Sequence, residues 1–147
     1  MILADAEATE RLGAELAEKL RPGDAIALFG DLGAGKTTLA RGLLRGLGFA
    51  GDVASPTFPI VQAYEAPDVR VPLWHVDLYR IEAPAELDEL ALDDAREEAA
   101  IVVEWPERLG LRLWPDSLIL RLTVMEGGAR ALTAQVPASW EGRWPPR

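Results

Sequence analysis

A glycine-rich segment at residues 30–37 carries the residue types that bind phosphate groups. It reads GDLGAGKT and satisfies the pattern G-x-x-x-x-G-K-[ST] at every fixed position. Gly33 and Gly35 lack Cβ atoms and can take positive φ angles, so consecutive backbone N–H groups can curl around a phosphate. In this pattern Lys36 reaches the terminal phosphates of a nucleotide, and the hydroxyl of Thr37 binds Mg²⁺. The segment therefore predicts a phosphate-binding loop.

The flanking segments match what such a loop requires, a strand before it and a helix after it. The segment DAIALF, which directly precedes Gly30, predicts a buried strand. The segment from Lys36 to about Leu47 predicts a helix, and Gly48 is a typical residue to end it. An amphipathic helix ahead of the strand is indicated by leucines at helical spacing, namely Leu12, Leu16 and Leu20.

The rest of the chain alternates extended and helical segments without an internal repeat. Residues 57–66 and 69–80 predict a pair of strands, and residues 84–99 form an acidic helical stretch. A hairpin is predicted around residues 126–128, where Glu-Gly-Gly interrupts two apolar segments. Because the chain has 147 residues and 49% of them are apolar, we expect a single domain over residues 1–147.

An enzyme with this loop also uses a carboxylate, at the end of a neighbouring strand, to organise Mg²⁺. Glu104 ends the run AIVVE, which is typical of a central parallel strand buried on both faces. We expect Glu104 to serve the metal; an ion-paired or helix-capping acid is the alternative. Because Pro106 follows, Trp105 is predicted to be extended and to end the strand, beside the nucleotide.

Asp77, in the segment HVDLYR, is the second candidate acid. Alternate side chains of an extended segment share a face, so Asp77 is expected on the same side as His75 and Tyr79. Arg80 is expected on the opposite side. Asp77 would then face the nucleotide, and the alternative is an acid paired with an exposed arginine. The only histidine, His75, is more typical of a packed or hydrogen-bonded group than of a catalyst.

The segment Ser55-Pro56-Thr57-Phe58 lies between the predicted second helix and the strand pair. This location suits a segment whose hydroxyl, for example that of Thr57, senses the γ-phosphate or Mg²⁺, as switch loops do in nucleotide hydrolases. An ordinary Ser-Pro-Thr turn is the alternative.

The amino-acid composition bears on the identity of the nucleotide, on RNA binding and on the location of the protein. A common guanine-reading signature contains asparagine, and the chain has none, which favours ATP. The net charge of −9 argues against binding RNA without another subunit, because nucleic-acid affinity comes mainly from clustered lysines and arginines. With no cysteine, basic leader or long apolar run, we expect a cytoplasmic protein without a membrane span. Residues 138–147 have little periodicity and predict a tail that is attached to the surface or loose.

Four segments together closely resemble the TsaE (YjeE) family of bacterial ATPases. They are GDLGAGKTTLARGLLRGLG, SPTF, HVDLYR with the later ELDELALDD, and VVEWPERLG, in the family's order between about residues 9 and 110. With the order of predicted elements, the resemblance implies an α/β fold, a P-loop NTPase-like three-layer sandwich whose mixed sheet has a parallel core and antiparallel hairpins. It also implies an ATP-hydrolysing accessory subunit. Such a subunit assists TsaB and TsaD in making threonylcarbamoyladenosine in tRNA, and meets tRNA only through that complex.

The resemblance also implies roles for individual residues. Thr37 and Glu104 would hold Mg²⁺, and Thr57 would be the switch-like threonine. Asp77 would orient water or accept its proton, and Trp105 would lie by the site. The ATP phosphates would lie on Gly33, Ala34, Gly35, Lys36, Thr37 and Thr38, with Lys36 stabilising the transferred group. The family is described as weakly active alone and stimulated by its partners, which agrees with the lack of an obvious arginine finger. The candidates for such a finger are Arg41, Arg45 and Arg80.

Two other functions remain open at this level. Several compact P-loop folds are small-molecule kinases, although a kinase should show an arginine-bearing lid and the sequence after Arg80 is acidic. A nucleotide-gated binding module without meaningful turnover is the other alternative.

Overall fold

The computed structural model describes residues 1–53 and 60–146, which build one sheet with helices packed on it. The strands are β1 (Ile2–Leu3), β2 (Ala25–Phe29), β3 (Val61–Tyr64), β4 (Leu73–Asp77), β5 (Ala100–Glu104), β6 (Leu118–Val124) and β7 (Arg130–Gln135). The α-helices are α1 (Ala6–Lys19), α2 (Lys36–Gly46), α3 (Pro84–Leu90) and α4 (Leu92–Ala95). Short 3-10 turns follow at Pro106–Arg112, Glu126–Gly128 and Ala138–Trp140. Within these described ranges, no helix is both long and apolar enough to cross a membrane.

The seven strands lie in the order β1-β7-β6-β2-β5-β4-β3. Strands β6, β2, β5 and β4 are parallel to one another and form the centre of the sheet. Antiparallel pairs complete both sides, with β3 against β4 on one side and β7 against β6 and β1 on the other. The predicted mixed sheet with a parallel core and antiparallel hairpins is confirmed.

Alternate residues of β5 face two separate hydrophobic cores. Val102 packs in a core with leucines of α1 and α2, whereas Val103 packs in a second core with Leu87 of α3 and Leu92 of α4. A strand that is buried on both faces reads as a continuous apolar run, which explains the segment AIVVE. The helices therefore cover both faces of the sheet, as the predicted three-layer arrangement requires.

The parallel register brings three strand ends to one edge. Leu28, near the end of β2, lies opposite Glu104 of β5, and Glu104 lies opposite Asp77 of β4. Helix α2 begins shortly after β2, at Lys36. The glycine-rich loop and both candidate acids therefore meet at the carboxyl edge of the sheet, where ligands bind in open α/β folds.

Helices α1 and α2 pack so closely that their backbones touch. A Cβ atom on Gly42 of α2 would come within 2.0 Å of the carbonyl oxygen of Glu10. On the other helix, a Cβ atom on Gly13 would come within 2.3 Å of the carbonyl oxygen of Leu39. Only glycine permits this approach. Because α2 carries the end of the phosphate loop, this contact fixes the loop against the body of the protein.

The acidic stretch at residues 84–99 differs from the single helical segment that the sequence predicts. Ala91 has a left-handed conformation, with φ 53°, and it separates α3 from α4. Leu87 and Leu92 are five residues apart, a spacing that places side chains on different faces of a continuous helix. The break allows both leucines to enter the same core beneath the sheet.

The C-terminal segment packs against the body of the protein. The side chain of Trp140 is completely buried in the larger core. Arg143 is also buried, lies 4.0 Å from the Trp140 ring centroid, and donates hydrogen bonds to both carboxylate oxygens of Asp24. These contacts join the end of the chain to the loop before β2.

Candidate active site

A cleft of about 450 Å³ opens at the carboxyl edge of the sheet, above the start of α2. Most of the site residues predicted from the sequence line it, namely Gly33, Gly35, Lys36, Thr37, Thr38, Asp77, Glu104 and Trp105. Ala34 lies behind this lining and is buried. Thr57, with the rest of the segment Ser55–Phe58, lies outside the described residues.

The phosphate loop ends in a sharp turn into α2. Gly35 has φ 107° and ψ 12°, a left-handed conformation that suits glycine, and helical geometry begins at Lys36. The first N–H groups of a helix have no acceptor within that helix. The start of α2 therefore offers unpaired donors and the positive end of the helix dipole to an anion in the cleft.

The ammonium group of Lys36 is held inside the loop rather than in solvent. Its Nζ donates to the carbonyl oxygen of Gly30 at 2.5 Å and lies 3.6 Å from the centroid of the Trp105 ring. Burial lowers the pKa of Lys36 from its ordinary value. Nearby carboxylates act in the opposite direction, and in order of effect they are those of Glu104, Glu107, Asp77 and Asp31. An anionic phosphate beside Nζ would compensate this buried cation.

Glu104 is held from two sides by groups of other elements. The hydroxyl of Thr37 donates to its two carboxylate oxygens at 3.1 and 3.2 Å, although the two residues are 67 positions apart. On the other side, Nε2 of His75 lies 2.6 Å from Oε2 of Glu104. The hydroxyl and the carboxylate both supply oxygen atoms, which Mg²⁺ prefers as ligands. The pair therefore fits a magnesium ion.

His75 is a buried hydrogen-bonding group, as the sequence indicates. Its side chain has no exposed surface, and its Nδ1 atom has no hydrogen-bond partner within residues 1–53 and 60–146. The carboxylate of Glu104 accepts a hydrogen bond when Nε2 of His75 carries a proton. His75 thus contacts the carboxylate from another strand, as groups that orient metal ligands do.

Asp77 lies at the end of β4, and its Oδ1 accepts a hydrogen bond from the backbone N–H of Tyr79 at 3.0 Å. Its side chain is mostly buried and faces the cleft. The prediction that Arg80 lies on the opposite side is wrong, because Arg80 also lines the cleft. Strand β4 ends at Asp77, so side-chain alternation does not continue to residue 80.

The prediction that Trp105 is extended is also wrong. Trp105 has φ 58° and ψ 49°, a left-handed conformation that is uncommon for a bulky residue. A proline disfavours right-handed helical geometry in the residue before it, and the extended region is not the only one left. The turn brings the indole ring over Lys36 and to within 5.0 Å of the Tyr79 ring centroid. The unusual backbone thus forms one wall of the cleft.

Of the three arginines named as candidates, Arg80 lines the cleft and Arg45 does not. Arg45, in the last turn of α2, donates to the carbonyl oxygens of Phe49 and Gly51, which places it at the opposite end of that helix from the cleft. Arg130, which no sequence pattern singled out, also lines the cleft. In the sequence, Arg130 was marked only by its position shortly after the turn predicted at residues 126–128.

Comparisons with known proteins agree with this geometry. A family model described as "Threonylcarbamoyl adenosine biosynthesis protein TsaE" matches residues 3–132. The chain belongs to the TsaE family. The resemblance predicted from the four segments is thus confirmed, and family and fold together indicate a nucleotide-binding protein of the P-loop type.

Relatives in the TsaE family match over most of their length. The tRNA threonylcarbamoyladenosine biosynthesis protein TsaE of Streptomyces coelicolor is 47% identical over 112 residues, covering 76% of this chain and 76% of the relative. The protein of the same name from Nostoc sp. is 42% identical over 136 residues, covering 88% and 81%. The crystal structure of YdiB from Bacillus subtilis superposes with a TM-score of 0.82 at 28% identity, covering 97% of this chain and 88% of YdiB.

Proposed function

We propose that this protein is a Mg²⁺-dependent ATPase that serves the synthesis of threonylcarbamoyladenosine in tRNA. The observation that carries the proposal is the contact between the Thr37 hydroxyl and the Glu104 carboxylate, directly beside the buried ammonium of Lys36. An oxygen pair for a divalent cation thus lies next to a cation suited to a phosphate. The family relationship supports the pathway.

The reaction is the in-line attack of water on the γ-phosphorus of ATP. Lys36 and the backbone N–H groups at the start of α2 stabilise the charge on the transferred phosphoryl group. Thr37 and Glu104 would hold Mg²⁺, which would neutralise phosphate charge when bound. Asp77, at the cleft side of β4, orients the attacking water or accepts its proton. Thr57 is assigned the switch-like role that the family resemblance implies.

The proposed function also includes two protein partners. We assign TsaB and TsaD as the subunits that stimulate hydrolysis, and we place the activity in the cytoplasm. The net charge of −9 supports contact with tRNA through those subunits rather than directly, because a strongly acidic chain does not attract a polyanion. Hydrolysis would drive or reset the assembly.

The test is ATP hydrolysis by the purified protein, measured with and without TsaB and TsaD and as a function of Mg²⁺. We expect weak activity alone, stimulation by the two subunits, and loss of both in Glu104→Gln. The matched control is Glu98→Gln, because Glu98 is exposed and lies just before β5, at the opposite end of the strand that carries Glu104. Equal activity of the two variants would contradict the metal site.

The same preparations separate the two alternative functions. Phosphate transfer from ATP to a small hydroxyl compound, with little free phosphate, would indicate a kinase. If Lys36→Ala abolishes tRNA modification while Asp77→Asn and Glu104→Gln support it, the protein is a nucleotide-gated binding module. Our proposal requires that both acid variants bind ATP and fail to support modification.

A further inference from the structure

Arg130 occupies a fixed place between the sheet and the phosphate loop. It is the first residue of β7, where its backbone pairs with Leu3 of β1 on one side and with Val124 of β6 on the other. Its guanidinium extends from the sheet to the loop. Nε donates to the carbonyl oxygen of Ala34 at 2.9 Å, and Nη2 donates to that of Gly33 at 3.1 Å.

The guanidinium also contacts the turn that precedes β7. Its Nη1 donates to the carbonyl oxygens of Gly128 at 2.6 Å and Ala129 at 3.3 Å, both in the turn before β7. An arginine has five N–H donors in one plane, so contacts on both sides set its orientation. A lysine offers a single ammonium on a flexible stem and cannot reproduce this fork.

The two carbonyls belong to the part of the loop that most needs restraint. Gly33 and Gly35 have φ angles of 78° and 107°, and glycine loses more conformational freedom on ordering than any other residue. Because a peptide group is planar and trans, holding the Ala34 carbonyl also fixes the direction of the Gly35 N–H. A loop that is ordered before the ligand arrives binds it more tightly, since less entropy is lost on binding.

We propose that Arg130 is a positioning residue that holds the phosphate loop in its binding shape before a nucleotide arrives. The inference rests on the proposed nucleotide site, but it concerns the order of the empty loop. The competing explanation is direct attraction between the Arg130 charge and a phosphate, because the side chain also lines the cleft. A lysine at this position keeps the charge and loses the fork, so it separates the two explanations.

The test uses Arg130→Ala and Arg130→Lys with two measurements. Calorimetric titration gives ATP affinity, and hydrogen exchange of the backbone amides of residues 31–37 gives the order of the loop without nucleotide. We expect both variants to bind ATP roughly tenfold more weakly, as the loss of charge-assisted hydrogen bonds predicts. We also expect faster exchange of these amides in both variants.

Arg70 provides a matched control. Its Nη1 and Nη2 donate to the backbone carbonyls of Gly46 and Ala17, so it makes the same kind of fork at the far end of α2. We expect Arg70→Ala to leave ATP affinity and exchange of the phosphate loop unchanged. Thermal unfolding of each variant establishes that it is folded, and Arg130→Lys decides alone if Arg130→Ala does not fold.

Three results would overturn the inference. They are wild-type ATP affinity in Arg130→Lys, unchanged loop exchange in the folded variants of Arg130, and an equal loss of affinity in Arg70→Ala. If the unaltered protein does not bind ATP, the proposed function fails, and the exchange comparison still decides the role of Arg130.

Discussion

The two edges of the parallel sheet differ in the groups that surround their charged side chains. At the amino edge, Arg143 forms a two-pronged ion pair with Asp24, which directly precedes β2, and both side chains are about nine-tenths buried. Arg96 forms a similar fork with Asp116, shortly before β6. At this edge the two arginines and the two aspartates pair with one another.

The carboxyl edge places its charges around an open cleft. Lys36 is buried, and burial lowers its pKa. Its ammonium contacts the carbonyl oxygen of Gly30 and the ring of Trp105. Glu104 meets a hydroxyl and an imidazole. Burying charge in this way costs stability unless a partner compensates it. The charged pairs at the amino edge are completed within the chain, whereas the carboxyl edge is suited to bind a ligand.

The largest effect is expected from the cation at the carboxyl edge. Lys36→Ala removes a charge aimed at the phosphates and should weaken ATP binding about a hundredfold, or roughly 3 kcal/mol. Thermal stability should change little, because the cost of burying the ammonium offsets the contacts that it makes in the free protein. Calorimetric titration and thermal unfolding measure the two effects. The only other lysine, Lys19, provides the control variant Lys19→Ala. A large loss of stability in Lys36→Ala would contradict the proposed difference between the two edges.

The reverse pattern is expected at the amino edge. Arg143→Ala leaves the buried carboxylate of Asp24 without its partner and should lower the free energy of unfolding by about 3 kcal/mol. ATP affinity should remain unchanged. Denaturant unfolding measures the loss, and the double variant with Asp24→Asn should recover part of it, because the unpaired charge is then gone. Weaker ATP binding by the folded Arg143→Ala protein would show that the two edges are coupled.

A smaller effect is expected from His75, which contacts the proposed metal ligand Glu104. His75→Leu removes the hydrogen bond to Glu104. It should raise the Mg²⁺ concentration needed for half-maximal ATP hydrolysis about tenfold. His75→Gln retains a donor and should lose less. A Mg²⁺ titration of the ATPase rate compares them. Equal loss in both variants would indicate that His75 acts through packing alone.

The smallest effect concerns the second ion pair of the amino edge. Hydrogen bonds from Arg96 hold the pKa of Asp116 below its ordinary value. The ionised form is therefore favoured by folding, and its contribution is present at neutral pH and lost as the pH falls below about 4. Because Asp116 is half-exposed, Asp116→Asn should cost only about 0.5 kcal/mol.

Urea unfolding at neutral and acidic pH checks this small effect. The difference between Asp116→Asn and the unaltered protein should shrink at acidic pH. Asp88→Asn is the control, because the pair of Asp88 with Arg112 is more exposed and should contribute less. A difference that is the same at both values of pH would contradict the assigned ionisation.

Much of the site could be predicted because its signals are local. The phosphate loop is defined by glycines and a lysine at fixed spacing, and Glu104 by a short apolar strand that ends in an acid. The predictions that failed depend on the surroundings of a segment. Ala91 breaks a helix so that two leucines reach one core, and Trp105 turns sharply so that its ring covers Lys36. Arg130 was missed because its partners in the loop lie 96 and 97 positions away.

The amino-acid sequence by itself determined the family, the phosphate-binding loop and the two acids at strand ends. The loop and the acids follow from backbone freedom and hydrophobic patterning within short windows, and the family follows from the resemblance of four segments. Only the tertiary structure decided that β5 lies beside β2, which brings Glu104 to Thr37, and that β7 carries Arg130 to the loop. Strand order depends on which apolar faces the whole chain can bury together, and no single window of the sequence contains that competition.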